Sequence, residues 1–323
     1  MRTYQHSGTV PFLGAIQALA IGSAAAIVLG IVYSFTFYYI PYVYLNFVLA
    51  MGFGGGVGWT VGWAAREGKI RNTSVTVALA VVAALTGIYA EWGSTIYAIV
   101  PGNIVADLWS EVGLASFLPH NILGLMLDLF EEGSWGLSGG AMVKGWMLVC
   151  LWIIEGGMII GLAGKVAHMQ LADRPFCEAC GEWITGESPH VYQGNGSEPV
   201  WTDVQNGNFD SLADTEQAYG NEPTFVRIKL HVCETCTESN YLTITKCENT
   251  VDHKGNERLV ETNLVTNLAV DETQVELIRT ARLIAPVPGI PPLGPPVAEP
   301  GMTGEAVVTS GAKAPGTNWT LQS

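Results

Sequence analysis

Basic residues are scarce in this chain: 15 Lys and Arg stand against 29 Asp and Glu among 323 residues, a formal net charge of −14. Nucleic-acid binding needs a cationic surface to neutralise phosphates, so the shortage argues against that class of partner. It argues equally against electrostatic docking on anionic lipid headgroups. Charge of either sign is also low, at 14% of residues, where soluble domains carry about a quarter. Catalytic signatures are missing too. There is no nucleophile–base motif, no phosphate-binding loop, no haem-attachment motif and no paired metal-binding histidines. The chain is therefore not expected to be an enzyme.

The shortage of charge is uneven. Residues 166–323 supply −12 of the net −14, which divides the chain into an apolar first half and an acidic second half. Four apolar stretches lie in the first half, at about Pro11–Ser34, Tyr44–Ala65, Val75–Ile96 and Val143–Gly164. Each reaches the ~20 residues that span a hydrocarbon core. The first is too long for a signal-peptide core, and no polar cleavage region follows it. Residues 1–165 thus read as a four-helix transmembrane domain in the lipid bilayer, with a loop outside the cytoplasm at about 98–142. Arg2, Arg66, Lys69, Arg71, Lys165 and Arg174 fall on one side of these spans, and only Lys144 on the other. The positive-inside bias then puts both termini in the cytoplasm. Tyr33, Phe35, Phe37, Tyr38, Tyr39, Tyr42 and Tyr44 fall at the opposite interface, where amphipathic rings anchor spans.

Small residues recur every four positions: Gly14, Ala18, Gly22, Ala26 and Gly30 in the first span, Gly54, Gly58 and Gly62 in the second, Gly157 and Gly161 in the fourth. This glycine-zipper spacing puts them on one face of each helix, where backbones can approach closely in a bundle or a homo-oligomer. Two carboxylates interrupt the apolar runs, Glu91 and Glu155. Intramembrane acids are costly, which makes both functional candidates. Counted from inner ends at Val75 and Gly164, Glu91 lies about 24 Å deep and Glu155 about 14 Å, a mismatch that disfavours a shared-proton pair. With no Lys or Arg at its depth, Glu155 is then expected to be protonated, or hydrogen-bonded to a polar neighbour such as Gln17 or Ser23 on the first helix. Its functional alternative is a proton or cation site in a small channel or proton-coupled transporter.

The second half carries two C-x-x-C knuckles, Cys177/Cys180 and Cys233/Cys236. Gly181 follows the first and permits the tight turn that points backbone amides at sulfur. Alternating apolar residues lead into the second (Phe225, Ile228, Leu230) and out of it (Tyr241, Leu242, Ile244), which predicts strand, knuckle, strand. Four soft thiolates satisfy a Zn²⁺ ion with no open position, the chemistry of a structural site. The same ligands suit iron, and a C-x-x-C pair can serve thiol redox chemistry, so a membrane-bound redox protein is a further alternative. Cys247, His190, His231 and His253 are possible replacement ligands. The segment from Phe176 to Lys246 resembles the zinc-ribbon superfamily, whose members mostly bind partners or nucleic acid. It departs from it in the 52 residues between knuckles and in Thr237, where a glycine is common.

Residues 166–284 are accordingly expected to form a cytoplasmic, mainly β, zinc-ribbon-like domain stabilised by the metal. Asp271 is expected to cap a helix running to Arg282. Residues 285–323, rich in Pro and Gly, read as a disordered tail. The whole layout resembles bacterial multi-pass proteins of the inner membrane. The function expected is display of a structural-zinc domain for a protein partner or for regulation.

Overall fold

The computed structural model describes residues 2–39, 43–99, 115–136, 142–186, 190–193, 202–203, 206, 208, 223–236, 239–251 and 257–281. Residues 1–283 form one compact unit. The tail expected at 285–323 lies outside the described residues, as does His253.

Four long helices come first: α1 (Phe12–Tyr39), α2 (Val43–Glu67), α3 (Thr73–Ile99) and, after the outer segment, α5 (Trp146–Ala172). All four are long and apolar enough to cross a membrane. Between α3 and α5 lie α4 (Pro119–Glu132), which begins with proline in its first turn, and a two-stranded ladder of β1 (Trp135–Gly136) and β2 (Met142–Val143). The bundle core is built mainly from small residues: Ala26, Ala50, Ala80, Ala83, Ala84, Ala163 and Ala167, interleaved with Tyr33, Phe53, Val57, Val61 and Ile159. With lipid outside, close backbone approach rather than water exclusion holds such helices together. At Gly14, Gly22, Gly30, Gly54, Gly58 and Gly62 a Cβ atom would collide with a neighbouring helix or link. Gly157 and Gly161 are different. Nothing lies within 4 Å of where their Cβ atoms would be, and both face outward. The packing face of α5 is instead offset by two residues, onto Ile159, Ala163 and Ala167.

Among the described residues of the second half, antiparallel sheet predominates. A short hairpin of β3 (Phe176–Cys177) and β4 (Glu182–Trp183) precedes a four-stranded sheet in the order β5 (His190–Gln193), β6 (Thr224–Val232), β7 (Asn240–Val251) and β8 (Glu257–Val270). Alternation on β6 places Val226, Ile228, Leu230 and Val232 on one face. They pack with Leu242, Ile244, Leu268 and Val270 under Val275 and Ile278 of the closing helix α6 (Glu272–Ala281). The Asp271 expectation holds. Its carboxylate accepts from the Gln274 amide at 2.8 Å, and the Gln274 side chain accepts from the Asp271 amide at 3.0 Å, a reciprocal capping box. Among the described residues, the sheet and α6 thus share a core of ten buried apolar residues. The small sheet does not depend on a metal for all of its burial.

Residues 2–10 strap the two halves together. Tyr4 N–H donates to Asn267 O at 2.8 Å and Ala269 N–H to Arg2 O at 2.9 Å, which extends the sheet beyond β8. Asn267 takes a left-handed φ of 50° at this point, a conformation asparagine tolerates better than most residues. Further along the strap, Gly8 N–H donates to Arg71 O and Arg71 N–H to Thr9 O, in the α2–α3 link. The strap, that link, the end of α5 and the sheet therefore share one end of the bundle.

Candidate metal centre at the bundle end

The two knuckles meet. The Sγ atoms of Cys177, Cys180, Cys233 and Cys236 all lie within 4.8 Å of one another, and all four cysteines are free thiols. Cys177 to Cys236 is 3.5 Å and Cys180 to Cys233 is 3.7 Å. Four sulfurs about 2.3 Å from a tetrahedral ion would be separated by roughly 3.8 Å, so the spacing fits a metal ion held by all four.

Local chain chemistry explains the placement. Cys177 ends β3, and the chain turns at once: Gly181 N–H donates to Cys177 O at 2.8 Å, with Gly181 at φ 69°, a left-handed position that favours glycine. The turn points the Cys180 amide at Cys177 Sγ, 3.4 Å away. Cys233 and Cys236 lie in the turn that follows β6, and Ser239 Oγ sits 3.4 Å from Cys177 Sγ. Burial by itself would raise the Cys177 thiol. Hydrogen bonding to Ser239 and to the Cys180 amide outweighs it and brings the pKa down to about 6. Cys180 is shifted upward, chiefly by Cys236 and by burial. The direction at Cys177 is the informative one: amide and hydroxyl donors already favour a thiolate there, and a bound cation would favour the rest.

The possible replacement ligands fall elsewhere. Cys247 is buried in β7 beside Phe225 and Glu261. His231 is buried on β6, where burial, then Lys229 and Arg174, push its pKa down to about 4. Neither joins the four sulfurs. His190 is in β5, and its side chain lies outside what is described.

The centre is fastened to the membrane half. Trp183 Nε1–H donates to Arg66 O at 2.9 Å. The Arg71 guanidinium lies 4.5 Å from the Phe176 ring centroid and pairs with Glu178, between Cys177 and Cys180. Phe176 meets Trp183 edge-on at 5.0 Å. Basic residues read from the sequence as topology signals thus also hold the knuckle. His6 completes the contact: its ring nitrogens lie 3.2 Å from Leu171 O and 3.2 Å from Tyr4 Oη. Burial lowers the His6 pKa, offset in part by the Leu171 and Ala172 carbonyls and by Glu178. Tyr4 and Trp183 flank its ring. A histidine released to water titrates near 6.5. Below that pH the released strap takes a proton that the docked one resists, so docking is strong above it and weakens as pH falls through the lower docked value. Hydrogen exchange of residues 2–10, corrected for intrinsic rate, is expected to be faster at pH 5.5 than at 7.5. In His6→Phe that difference should vanish.

The intramembrane acids require a correction. Glu155 accepts a hydrogen bond from Tyr33 Oη, not from Gln17 or Ser23. Tyr33 is buried against Phe53 at 5.8 Å rather than anchored at an interface. The depth mismatch also disappears. α5 continues past Gly164 to Ala172, and α3 begins at Thr73, which puts Glu155 about 26 Å and Glu91 about 27 Å from the cysteine end of the bundle. The two acids are level, and both line one cavity.

Comparison with protein-family models, with curated proteins and with solved structures finds no match for this chain.

Proposed function

We propose that this is a bacterial inner-membrane protein with both termini cytoplasmic, displaying a zinc-ribbon-like module whose Zn²⁺ is structural and whose task is partner binding or regulation. It is not an enzyme on this reading. The observation that carries it is the closed set of four sulfurs within 4.8 Å. Four thiolates leave no coordination position for water or substrate, so the ion shapes a surface rather than performs chemistry. Basic residues at the strap end of the bundle support the cytoplasmic assignment, and reduced thiols fit that compartment. The partner is a protein or a second copy of this chain, since the acidic surface suits neither nucleic acid nor anionic lipid.

Metal analysis of the purified chain tests the zinc. One equivalent of zinc is expected, while one equivalent of iron with visible absorbance would move the protein to the redox class. Orientation is tested by protease protection in sealed inverted vesicles. Cleavage of the second half from the outside is expected there, and full protection would reverse the topology.

A further inference from the structure

The level placement of Glu91 and Glu155 gives the membrane half a site of its own. Glu91 lies eight residues from the far end of α3 and Glu155 nine from the far end of α5, about 12 Å and about 14 Å into the bundle from the end opposite the cysteines. They face a cavity of about 80 Å³ lined also by Thr95, Trp92 and Trp152. A second cavity of about 50 Å³ adjoins it through Glu155 and Trp152, and is lined by Asn46.

The lining is chemically one-sided. Glu91, Glu155, Thr95 and Asn46 offer oxygen, and among the described residues no cysteine or histidine lines either cavity. Oxygen-only donors select hard cations over soft ones. No Lys or Arg lies in a spanning helix at that level, so a bound cation is the available countercharge. The independent sign is Asn46. Its side-chain oxygen is buried without a hydrogen-bond partner among the described residues. On the wall of the cavity it shares with Glu155, an orphaned carbonyl has the polarity a cation requires, and leaving it unsatisfied is costly. Tyr33 Oη holds one Glu155 oxygen, and Thr95 Oγ1 lies 3.5 Å from Glu91 Oε1. Trp92 and Trp152 close one wall edge-to-face at 5.2 Å. Ser134 and Leu129, from the segment between α3 and α5, also line it, so the site lies toward the end opposite the cysteines.

We infer that Glu91, Glu155 and Asn46 form a binding site for one hard, oxygen-liganded metal cation inside the membrane bundle. The inference is independent of the cysteine centre, which presents sulfur and lies at the other end. The test is calorimetric titration of the detergent-solubilised, metal-replete full chain with Na⁺ and, separately, Ca²⁺. Saturable binding of one equivalent of either cation is expected, and which one binds fixes the charge of the site. Glu91→Gln and Glu155→Gln are each expected to weaken it by about 100-fold, because ligand charge sets affinity at such sites. Asn46→Ala is expected to weaken it by roughly 10-fold or more. Absence of saturable binding for both cations overturns the inference, and so does equal affinity in wild type and both Gln variants. Should the Gln variants not fold, Tyr33→Phe decides, since it keeps the ring on Phe53 and removes only the hydroxyl. Unchanged affinity there overturns the site, and a roughly tenfold loss supports it.

Discussion

Cys177→Ser is expected to abolish stoichiometric metal binding and to release the β3–β4 hairpin while the four-stranded sheet stays folded. The two regions rest on different support. The sheet and α6 share ten buried apolar residues, none of them a cysteine. The hairpin has two residues per strand, and its cluster consists of Cys177, Ile184 and Cys233 with Cys180, Cys236 and Tyr241 at its edge. So small a cluster cannot offset the ordering of a loop. A metal can, contributing roughly 10–16 kcal/mol in zinc-finger peptides. Loss of one thiolate opens the coordination set and also removes the sulfur to which the Cys180 amide and Ser239 turn. Hydrogen exchange followed by mass spectrometry reads the outcome. Residues 176–186 should lose protection, along with the Trp183–Arg66 and Phe176–Arg71 contacts, while 224–232 and 240–248 keep theirs. Equal loss across the sheet would show that the metal organises the whole domain, and retained metal at one per chain would remove Cys177 from the ligand set.

Gly58→Leu is expected to damage the bundle severely. A Cβ at this position would run into the Ala163 carbonyl oxygen and its backbone, and backbone cannot swing aside as a flexible side chain can. Overpacking that must be met by helix displacement costs about 1–3 kcal/mol or more. Here it would separate α2 from α5 next to Ile159 and Ala163 of the shared core. Gly157→Leu is the matched control. Its added side chain meets nothing within 4 Å and points outward, where leucine is a better helix former than glycine. Thermal unfolding in detergent should show a large drop for the first variant and little or none for the second. Equal melting temperatures would mean that α2 and α5 do not pack in this register.

The same contrast shows how far the chain could be read before its structure. The four spans were legible because length and apolarity suffice to specify them. The four-cysteine cluster was legible because two C-x-x-C units, each short enough to turn back on itself, are readily brought together by paired strands. Inner and outer helix faces were harder. Spacing of four identified a small-residue face on α1 and α2, but on α5 it picked the outward pair Gly157 and Gly161, because alanine serves the same purpose at 163 and 167. Helix ends misled more. Hydropathy falls at Gly164, where Lys165, His168 and Gln170 begin, and it reports where lipid ends. Backbone hydrogen bonding continues to Ala172, and that difference of eight residues hid the pairing of Glu91 with Glu155. Tyr33 was recoverable in principle. It lies three residues beyond Gly30, and Ser34 four, on the same face as the glycine stripe. The long β8, with a bulge near Asn267, and the N-terminal strap left no period that sequence patterning could detect.

The strap carries a consequence for how the molecule is assembled. Residues 2–10 are synthesised before α1, yet their partners Asn267 and Ala269 come after all four spans and three strands of the sheet. During synthesis the segment must wait, unpaired, on the face of the membrane where the sheet will later form. Closure of the strap is thus a late event that joins the two ends of the described chain, and it requires both to have reached the same side. A chain with one span misinserted would have its strap and its sheet on opposite sides, and the contact at Tyr4 could never be made.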